Sequence, residues 1–135
     1  MSLKFKFEHS YLNLSDVLYH ENSPQLPSAP ELLLWNGDLA LSLGAENISD
    51  CNSIGNILSG ALLPKGAKSV SLAYAGHQFG HFTILGDGRA HLLGEHRIPN
   101  GQIVDIQLKG SGRSKFSRGG DGRAALGPML REYLM

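Results

Sequence analysis

The sequence predicts an α+β protein, in which an antiparallel sheet carries short N-terminal helices and a C-terminal helix. Three observations predict it: two stripes of apolar residues at helical spacing before residue 63, an Asn-Gly hairpin signal near residue 100, and a third helical stripe at the end of the chain. The 135 residues suit one domain, because domains usually hold about 100–200 residues. A content of 41% hydrophobic and 18% charged residues is typical of a globular protein.

Residues 1–29 are predicted to form an extended arm, because Ser-Pro, Leu-Pro and Ala-Pro steps near its end disfavour a helix. Apolar residues at helical spacing then predict helices over 31–43 and 53–62, and Gly44 is a natural stop for the first. Both stripes are interpreted as core-packing faces rather than as grooves for a partner.

The segment after residue 68 has strand character. Strands are predicted over 82–85 and 90–95, around a turn at 86–88, and over 103–108, whereas 69–74 fits a strand or a helix. Asn-Gly between β-prone runs is the strongest short hairpin signal, so we expect an antiparallel hairpin near residue 100. Alternation along the last strand places Lys109 at its end, on the polar face.

Charge and glycine are concentrated in the second half. The net charge is zero, which argues against a general nucleic-acid binder, but every arginine follows position 88 and 12 of the 17 glycines follow position 75. The run GDGRA occurs at 86–90 and again at 120–124, with GSGR at 110–113 and the pair Arg118-Gly119 between them. Glycine lets backbone N–H groups approach an anion and arginine matches phosphate oxygens. These loops predict a polyphosphate-binding site; ordinary turns with solvent-facing arginines are the alternative.

Other sites are not predicted. The sequence lacks a P-loop and a strict Gly-x-Gly-x-x-Gly motif. His77 and His81 would suit a metal only on a helix that the neighbouring glycines disfavour, so they are interpreted as hydrogen-bonding residues of a loop. Cys51, the one cysteine, is interpreted as an inert loop residue. No stretch would span a membrane and the start is unlike a signal peptide, so we expect a cytoplasmic protein.

The last residues, 124–135, are predicted to begin a helix that meets no stop signal. We therefore expect the chain to be cut inside or just after a helix. Exposed apolar residues at 126–135 would then allow two copies to dimerise through this helix.

Six motifs of the second half resemble the selenoprotein O family in order and spacing. They are YAGHQFG (74–80), LGDGRA (85–90), QLKGSGR (107–113), FSR (116–118), DGRA (121–124) and LREYL (130–134). A thinner likeness covers residues 30–44. Ser111 and Lys115-Phe116 stand where the family more often has Ala and Pro-Tyr, which are mild departures. Proteins of this family are several times longer, so the resemblance covers only their N-terminal part.

The resemblance implies a protein-kinase-like (pseudokinase) fold that holds ATP in a flipped orientation. Such a protein transfers AMP to hydroxyl groups of Ser, Thr or Tyr in protein substrates, using a divalent metal such as Mg²⁺. Residues 30–135 would then be the N-terminal lobe of the nucleotide-binding domain, without the C-terminal lobe. The metal ligands and the catalytic Asp of the family lie in that absent part, so no metal ligand is predicted here and the 135 residues alone are expected to be inactive.

The resemblance also implies roles for individual residues. Lys109 resembles the kinase-type strand lysine that contacts nucleotide phosphates, and Glu132 resembles the helix glutamate that pairs with it. The positions that resemble the family's nucleotide-binding residues are Gly86, Gly88, Arg89, Asp121 and Gly122.

Two alternatives stay open at this point. One is a non-catalytic module whose Gly-Arg loops bind an anion or a protein. The other is a parent enzyme that performs ordinary phosphoryl transfer, which the residues alone do not distinguish from AMP transfer. The unfinished terminal helix and the Lys109/Glu132 motif favour an enzyme over a binding module.

Overall fold

The structure is a computed structural model that describes residues 4–45, 51–77 and 80–135. Its elements, in chain order, are β1 (Phe7–Glu8), a 3₁₀ turn (Ser10–Asn13), β2 (Tyr19–Glu21), α1 (Gly37–Ser42), α2 (Cys51–Leu58), β3 (Val70–Gly76), β4 (Thr83–Gly86), β5 (Ala90–Arg97), β6 (Ile103–Lys109) and α3 (Leu126–Leu134). The predicted α+β class, with few helices and one at the C-terminal end, is confirmed.

All six strands join in one curled antiparallel sheet with β5 at its centre. One edge of β5 pairs with β6 along its whole length. The other edge pairs with β3 at Leu92 and with β1 at Glu95 and His96. Because β5 has a neighbour on each side, it holds the two largest fully buried side chains among the described residues, Leu93 and His91.

A bulge in β5 leaves room for aromatic side chains of the N-terminal segment. The register with β6 shifts between Leu92 and Gly94, and Gly94 adopts a φ of +143°. A Cβ at this position would lie 2.7 Å from the Phe7 ring and 2.8 Å from the His9 ring. Glycine is therefore needed here, both for its backbone angle and for the space it leaves.

The first predicted helix begins later than expected. Residues 31–36 are not helical, and α1 starts at Gly37. The Asn36 side chain accepts a hydrogen bond of 2.9 Å from the Leu39 N–H, because Asn favours a helix cap over a helix interior. The predicted stop is confirmed, since Gly44 follows the helix with a φ of +82°.

The second predicted helix, 53–62, is displaced toward the N-terminus. The observed α2 runs over Cys51–Leu58, and Gly60, with a φ of +80°, lies in a turn that follows it. Of the predicted core-packing stripe, Ile54 and Ile57 are buried, whereas Leu58 and Leu62 are exposed. Cys51, expected in a loop, is instead the first residue of the helix and is exposed.

The predicted hairpin near residue 100 is confirmed. The predicted turn at 86–88 is wrong, because the chain does not reverse its direction there. Strands β5 and β6 join around Asn100 and Gly101, with Arg97 opposite Ile103. In contrast, the segment 86–88 does not turn the chain back. Strand β4 pairs with the C-terminal half of β3, and β5 pairs with the start of β3. Both are antiparallel to β3, so β4 and β5 run in the same direction. The segment is a break between two consecutive strands.

The N-terminal segment joins the sheet, and Pro24 within it is buried. Residues 4–29 contribute β1 and β2 to the sheet, and the division into an arm and a lobe stays a prediction. Helix α3 buries none of its residues, and the dimer predicted through it also stays a prediction. Among the described residues, no helix is long and apolar enough to cross a membrane.

Leu93 tests how far the sheet depends on β5. Its side chain is 1% exposed, so Leu93→Ala should lower the free energy of unfolding by about 2–5 kcal/mol, since it leaves a cavity. Leu41→Ala, the same change at a position of α1 that is 67% exposed, should change stability by less than about 0.5 kcal/mol. Urea denaturation measures both. Equal losses for the two variants would contradict a core centred on β5.

Candidate functional site

A cleft of about 580 Å³ lies between the β3–β5 region and the glycine-rich loops. It collects six of the seven predicted site residues, namely Gly86, Gly88, Arg89, Lys109, Asp121 and Gly122. The fold thus brings the segments at 86–89, 109 and 121–122 together in the lining of one cleft. Arg118 and Arg123 of the predicted Gly-Arg loops also line the cleft. Tyr74, Asp87, Gln107 and Phe116 line it as well and were not singled out as site residues.

Glu132 reaches the cleft through Lys109. The Lys109 ammonium, at the end of β6, donates to both carboxylate oxygens of Glu132 on α3, at 2.6 and 2.8 Å. The two side chains are 40% and 52% exposed, and an exposed ion pair contributes only about 0–1 kcal/mol to stability. The pair therefore does little for the fold, and its main consequence is a fixed position for the ammonium.

The loop at 114–117 is fastened to the segment at 86–88. The Ser117 hydroxyl donates to the Gly88 carbonyl at 2.6 Å, and the Ser114 hydroxyl donates to the Asp87 carbonyl. The Phe116 ring lies against Gly86, where a Cβ would overlap it. Gly86 thus has a packing role in addition to its predicted one.

The loop at 110–112 is fastened to the second GDGRA run. The Gly112 N–H donates to the Gly122 carbonyl at 3.0 Å, and Ser111 forms a β-bridge with Arg123. Gly122 has a φ of +71°, and a Cβ there would overlap the Gly112 carbonyl. Only glycine permits this approach. The Gly110 N–H also donates to the Arg89 carbonyl at 2.6 Å, so all the glycine-rich segments form one connected frame.

The cleft carries a positive surplus. Four cationic side chains line it, those of Arg89, Lys109, Arg118 and Arg123, against the two carboxylates of Asp87 and Asp121. Both carboxylates already accept hydrogen bonds from the protein. Asp121 accepts the Arg123 N–H at 2.9 Å. An excess of cationic side chains, three of them arginines, is suited to polyphosphate.

Asp87 is the more buried of the two carboxylates. Its Oδ2 accepts the Leu72 N–H at 3.1 Å and the Gln107 amide at 3.3 Å. Burial raises the pKa of Asp87, and the hydrogen bond from Leu72 partly opposes that rise. These contacts hold Asp87 as a brace between β3 and β6.

The described residues do not form a metal site by themselves. No group of three or more His, Cys, Asp or Glu side chains comes together among them, and the carboxylates of the cleft are engaged by protein donors. The ring of His77 packs against Phe82 with centroids 5.2 Å apart, while residues 78–79 between the two predicted histidines lie outside the described part of the chain.

Arg118 occupies an unusual turn at the rim of the cleft. It has a φ of +48° and is the only non-glycine residue with positive φ in the described segments. Such a conformation costs a non-glycine residue about 1–3 kcal/mol. The sequence of 116–120 does not predict this strain, because arginine rarely adopts a positive φ.

A buried histidine behind the cleft was also missed. His91 is fully buried on β5, and its Nδ1 and Nε2 lie 2.6 Å from the Ser111 hydroxyl and from the Asn22 amide nitrogen. Because an amide NH₂ only donates, Nε2 accepts, and Nδ1 carries the proton and donates to Ser111. In the sequence, His91 is a single histidine within a predicted strand. Such a position does not show whether the residue belongs to the core or to a functional site.

This network reaches back to the N-terminal segment. Asn22 accepts the Ser71 hydroxyl at 3.0 Å and donates to the Arg113 carbonyl at 3.3 Å. The Gln25 N–H donates to the Ser111 carbonyl at 2.8 Å. The loop that follows Lys109 is therefore supported from behind by residues of the first thirty.

The curled antiparallel sheet, with few helices and one at the C-terminal end, resembles the N-terminal lobe of a protein-kinase-like fold. Comparison with known proteins gives the family. The family model described as protein adenylyltransferase SelO matches residues 1–135, and the chain belongs to this family.

Curated relatives agree with this assignment. The protein nucleotidyltransferase YdiU of Pelagibacter ubique is 53% identical over 137 residues, which cover 100% of this chain and 28% of the relative. The proteins of the same name from Syntrophotalea carbinolica and Geobacillus kaustophilus are 53% and 52% identical over 97% and 100% of this chain, and over 27% and 28% of their own length. The chain spans little more than a quarter of these relatives.

The buried histidine gives a pH dependence. Burial lowers the pKa of His91 below its ordinary value of 6.5, more than the contact with the Arg113 backbone raises it. The folded state then binds this proton less readily than the unfolded state. The free energy of unfolding should therefore fall as the pH drops below about 6.5, and it should continue to fall down to the lowered pKa.

Urea denaturation at pH 7.5 and pH 5.5 measures this effect. We expect His91→Gln to show a smaller loss between the two pH values than the unchanged protein. His20→Gln, at an exposed position of β2, should keep the full loss. An undiminished loss in His91→Gln would show that His91 is not the group responsible.

Proposed function

We propose that this chain is the nucleotide-binding part of a protein adenylyltransferase that transfers AMP from ATP to hydroxyl side chains of proteins. The observation that carries the proposal is the Lys109 ammonium, fixed by Glu132 and facing a cleft framed by the Gly-Arg loops. Membership in a family described as protein adenylyltransferases supports the reaction. A cytoplasmic location is part of the proposal, because the donor is ATP.

The proposed role of the cleft is to bind and orient the triphosphate. Lys109 and Arg89 supply cations, and the backbone around Gly86, Gly88, Asp121 and Gly122 allows phosphate oxygens to approach closely. Glu132 acts on the reaction through Lys109, whose position it fixes, and is therefore a positioning residue. Groups held in place before the reaction stabilise the charge of the transition state without reorganising.

Mg²⁺ would accompany ATP and neutralise part of the phosphate charge when bound. The described residues do not fit a metal site on their own, so we place its ligands, together with the base that activates the substrate hydroxyl, in the part of the protein that this chain lacks. We accordingly expect the 135 residues by themselves to bind nucleotide without transferring AMP.

Labelled ATP tests the reaction on the full-length protein that contains this chain. With a general acceptor protein, label from [α-³²P]ATP should enter protein and label from [γ-³²P]ATP should not. Lys109→Met should lower incorporation by about 10²–10³-fold, as expected for loss of one electrostatic group in the site. Lys115→Met is the matched control, because Lys115 is exposed and does not line the cleft.

The other outcomes identify the alternatives. Incorporation from the γ position would indicate phosphoryl transfer. Saturable ATP binding with no incorporation from either position would indicate a binding module. Equal activity of the Lys109 and Lys115 variants would contradict the proposed site.

A further inference from the structure

We propose that Arg118 is a further phosphate-binding residue of this cleft, held in place by a strained turn. This inference rests on the proposed nucleotide site and assigns a role in it to one arginine of the Gly-Arg loops that the family resemblance leaves without one. The proposed ligand is the polyphosphate part of the nucleotide, recognised by its charge rather than by its base.

The turn gives Arg118 a defined position. The Gly120 N–H donates to the Ser117 carbonyl at 2.9 Å, which closes a four-residue turn. The two central residues, Arg118 and Gly119, have φ values of +48° and +88°. Positive φ at both central positions is the pattern of a type I′ turn, whose first central position favours Asn, Asp or Gly. Arginine is a poor choice for this backbone.

The base of the turn is fastened to the phosphate-binding frame. Ser117, the first residue of the turn, donates through its hydroxyl to the Gly88 carbonyl at 2.6 Å. Phe116, the preceding residue, packs its ring on Gly86. The turn is therefore fastened to the first GDGRA run, and Arg118 lines the same cleft as Arg89.

The guanidinium of Arg118 has no counter-ion. The ion pairs of the described residues are Arg97–Glu8 and Lys109–Glu132, and within the same part of the chain no hydrogen bond is formed by the Arg118 side chain. Arg123, the neighbouring cation of the cleft, differs in that it donates to the Gln25 carbonyl at 3.4 Å. An unpaired guanidinium that lines a cleft is available to a phosphate.

The strained backbone of Arg118 and its unpaired guanidinium both indicate a role in binding rather than in folding. A residue that disfavours its own backbone conformation and whose side chain forms no hydrogen bond or ion pair contributes little to the stability of the fold. Observed strain at the edge of a cleft points to function. Replacement of Arg118 by a residue suited to the turn should therefore improve the fold while it weakens the binding of phosphate.

The test uses the full-length protein with three variants. Arg118→Asn keeps the turn and removes the charge, Arg118→Lys keeps the charge, and Lys115→Asn removes a charge from the same loop outside the cleft. Calorimetric titration with ATP and with adenosine measures affinity, and thermal unfolding without nucleotide measures stability.

We expect Arg118→Asn to bind ATP about tenfold more weakly, the loss of one charge-assisted contact, and to bind adenosine as before. Its unfolding temperature should be equal to or higher than that of the unchanged protein. Arg118→Lys should bind ATP more tightly than Arg118→Asn and more weakly than the unchanged protein. Lys115→Asn should match the unchanged protein in both measurements.

Unchanged ATP affinity in a stable Arg118→Asn variant would overturn the inference, as would an equal loss of affinity for ATP and adenosine. The proposed nucleotide site is tested separately by the unchanged protein and by Lys109→Met. If the unchanged protein binds no ATP, the proposed function fails; if it binds ATP and only Arg118→Asn is without effect, the further inference alone fails.

Discussion

The close approach of two backbone segments at Gly112 and Gly122 is the constraint on which the site depends. Gly112 donates its N–H to the Gly122 carbonyl, and the space between them excludes any side chain at residue 122. This contact brings the second GDGRA run to the end of β6, where Lys109 lies. Without it, the two runs of the same sequence would be separate surface loops, and their charges would not converge. The glycines thus determine where the arginines are.

Stability and function are divided between different parts of this lobe. The sheet is stabilised by β5, with Leu92 and Leu93 almost completely buried. The cleft, in contrast, brings together exposed cations, a raised-pKa carboxylate at Asp87 and a strained Arg118. Like charges at close range destabilise a folded protein unless a ligand neutralises them. A rigid frame of hydrogen-bonded loops holds these cations together before any anion binds, which is the arrangement that favours tight phosphate binding.

The sequence predicted those features that depend on local chemistry. The Asn100-Gly101 hairpin, the alternation along β6 and the stop at Gly44 follow from backbone preferences of single residues, and all were confirmed. The start of α1 at Gly37 was missed because apolar spacing at 32 and 35 outweighed the capping preference of Asn36. The break at 86–88 was mistaken for a turn because glycine permits either, and only the partner strand β3 decides between them. Long-range pairing leaves little trace in one sequence.

Long-range contacts also support the site, and for that reason its support could not be predicted from the sequence. Asn22 and Gln25 lie in a stretch that the prolines marked as irregular, about 90 residues from the loop that they hold. Their hydrogen bonds to Arg113, Ser111 and His91 become apparent only once β2 is placed against β3. The glycine- and arginine-rich half therefore does not make the cleft alone. The N-terminal segment fixes the loop after Lys109 from behind, so a change near residue 22 should alter the geometry of a site to which it contributes no contact.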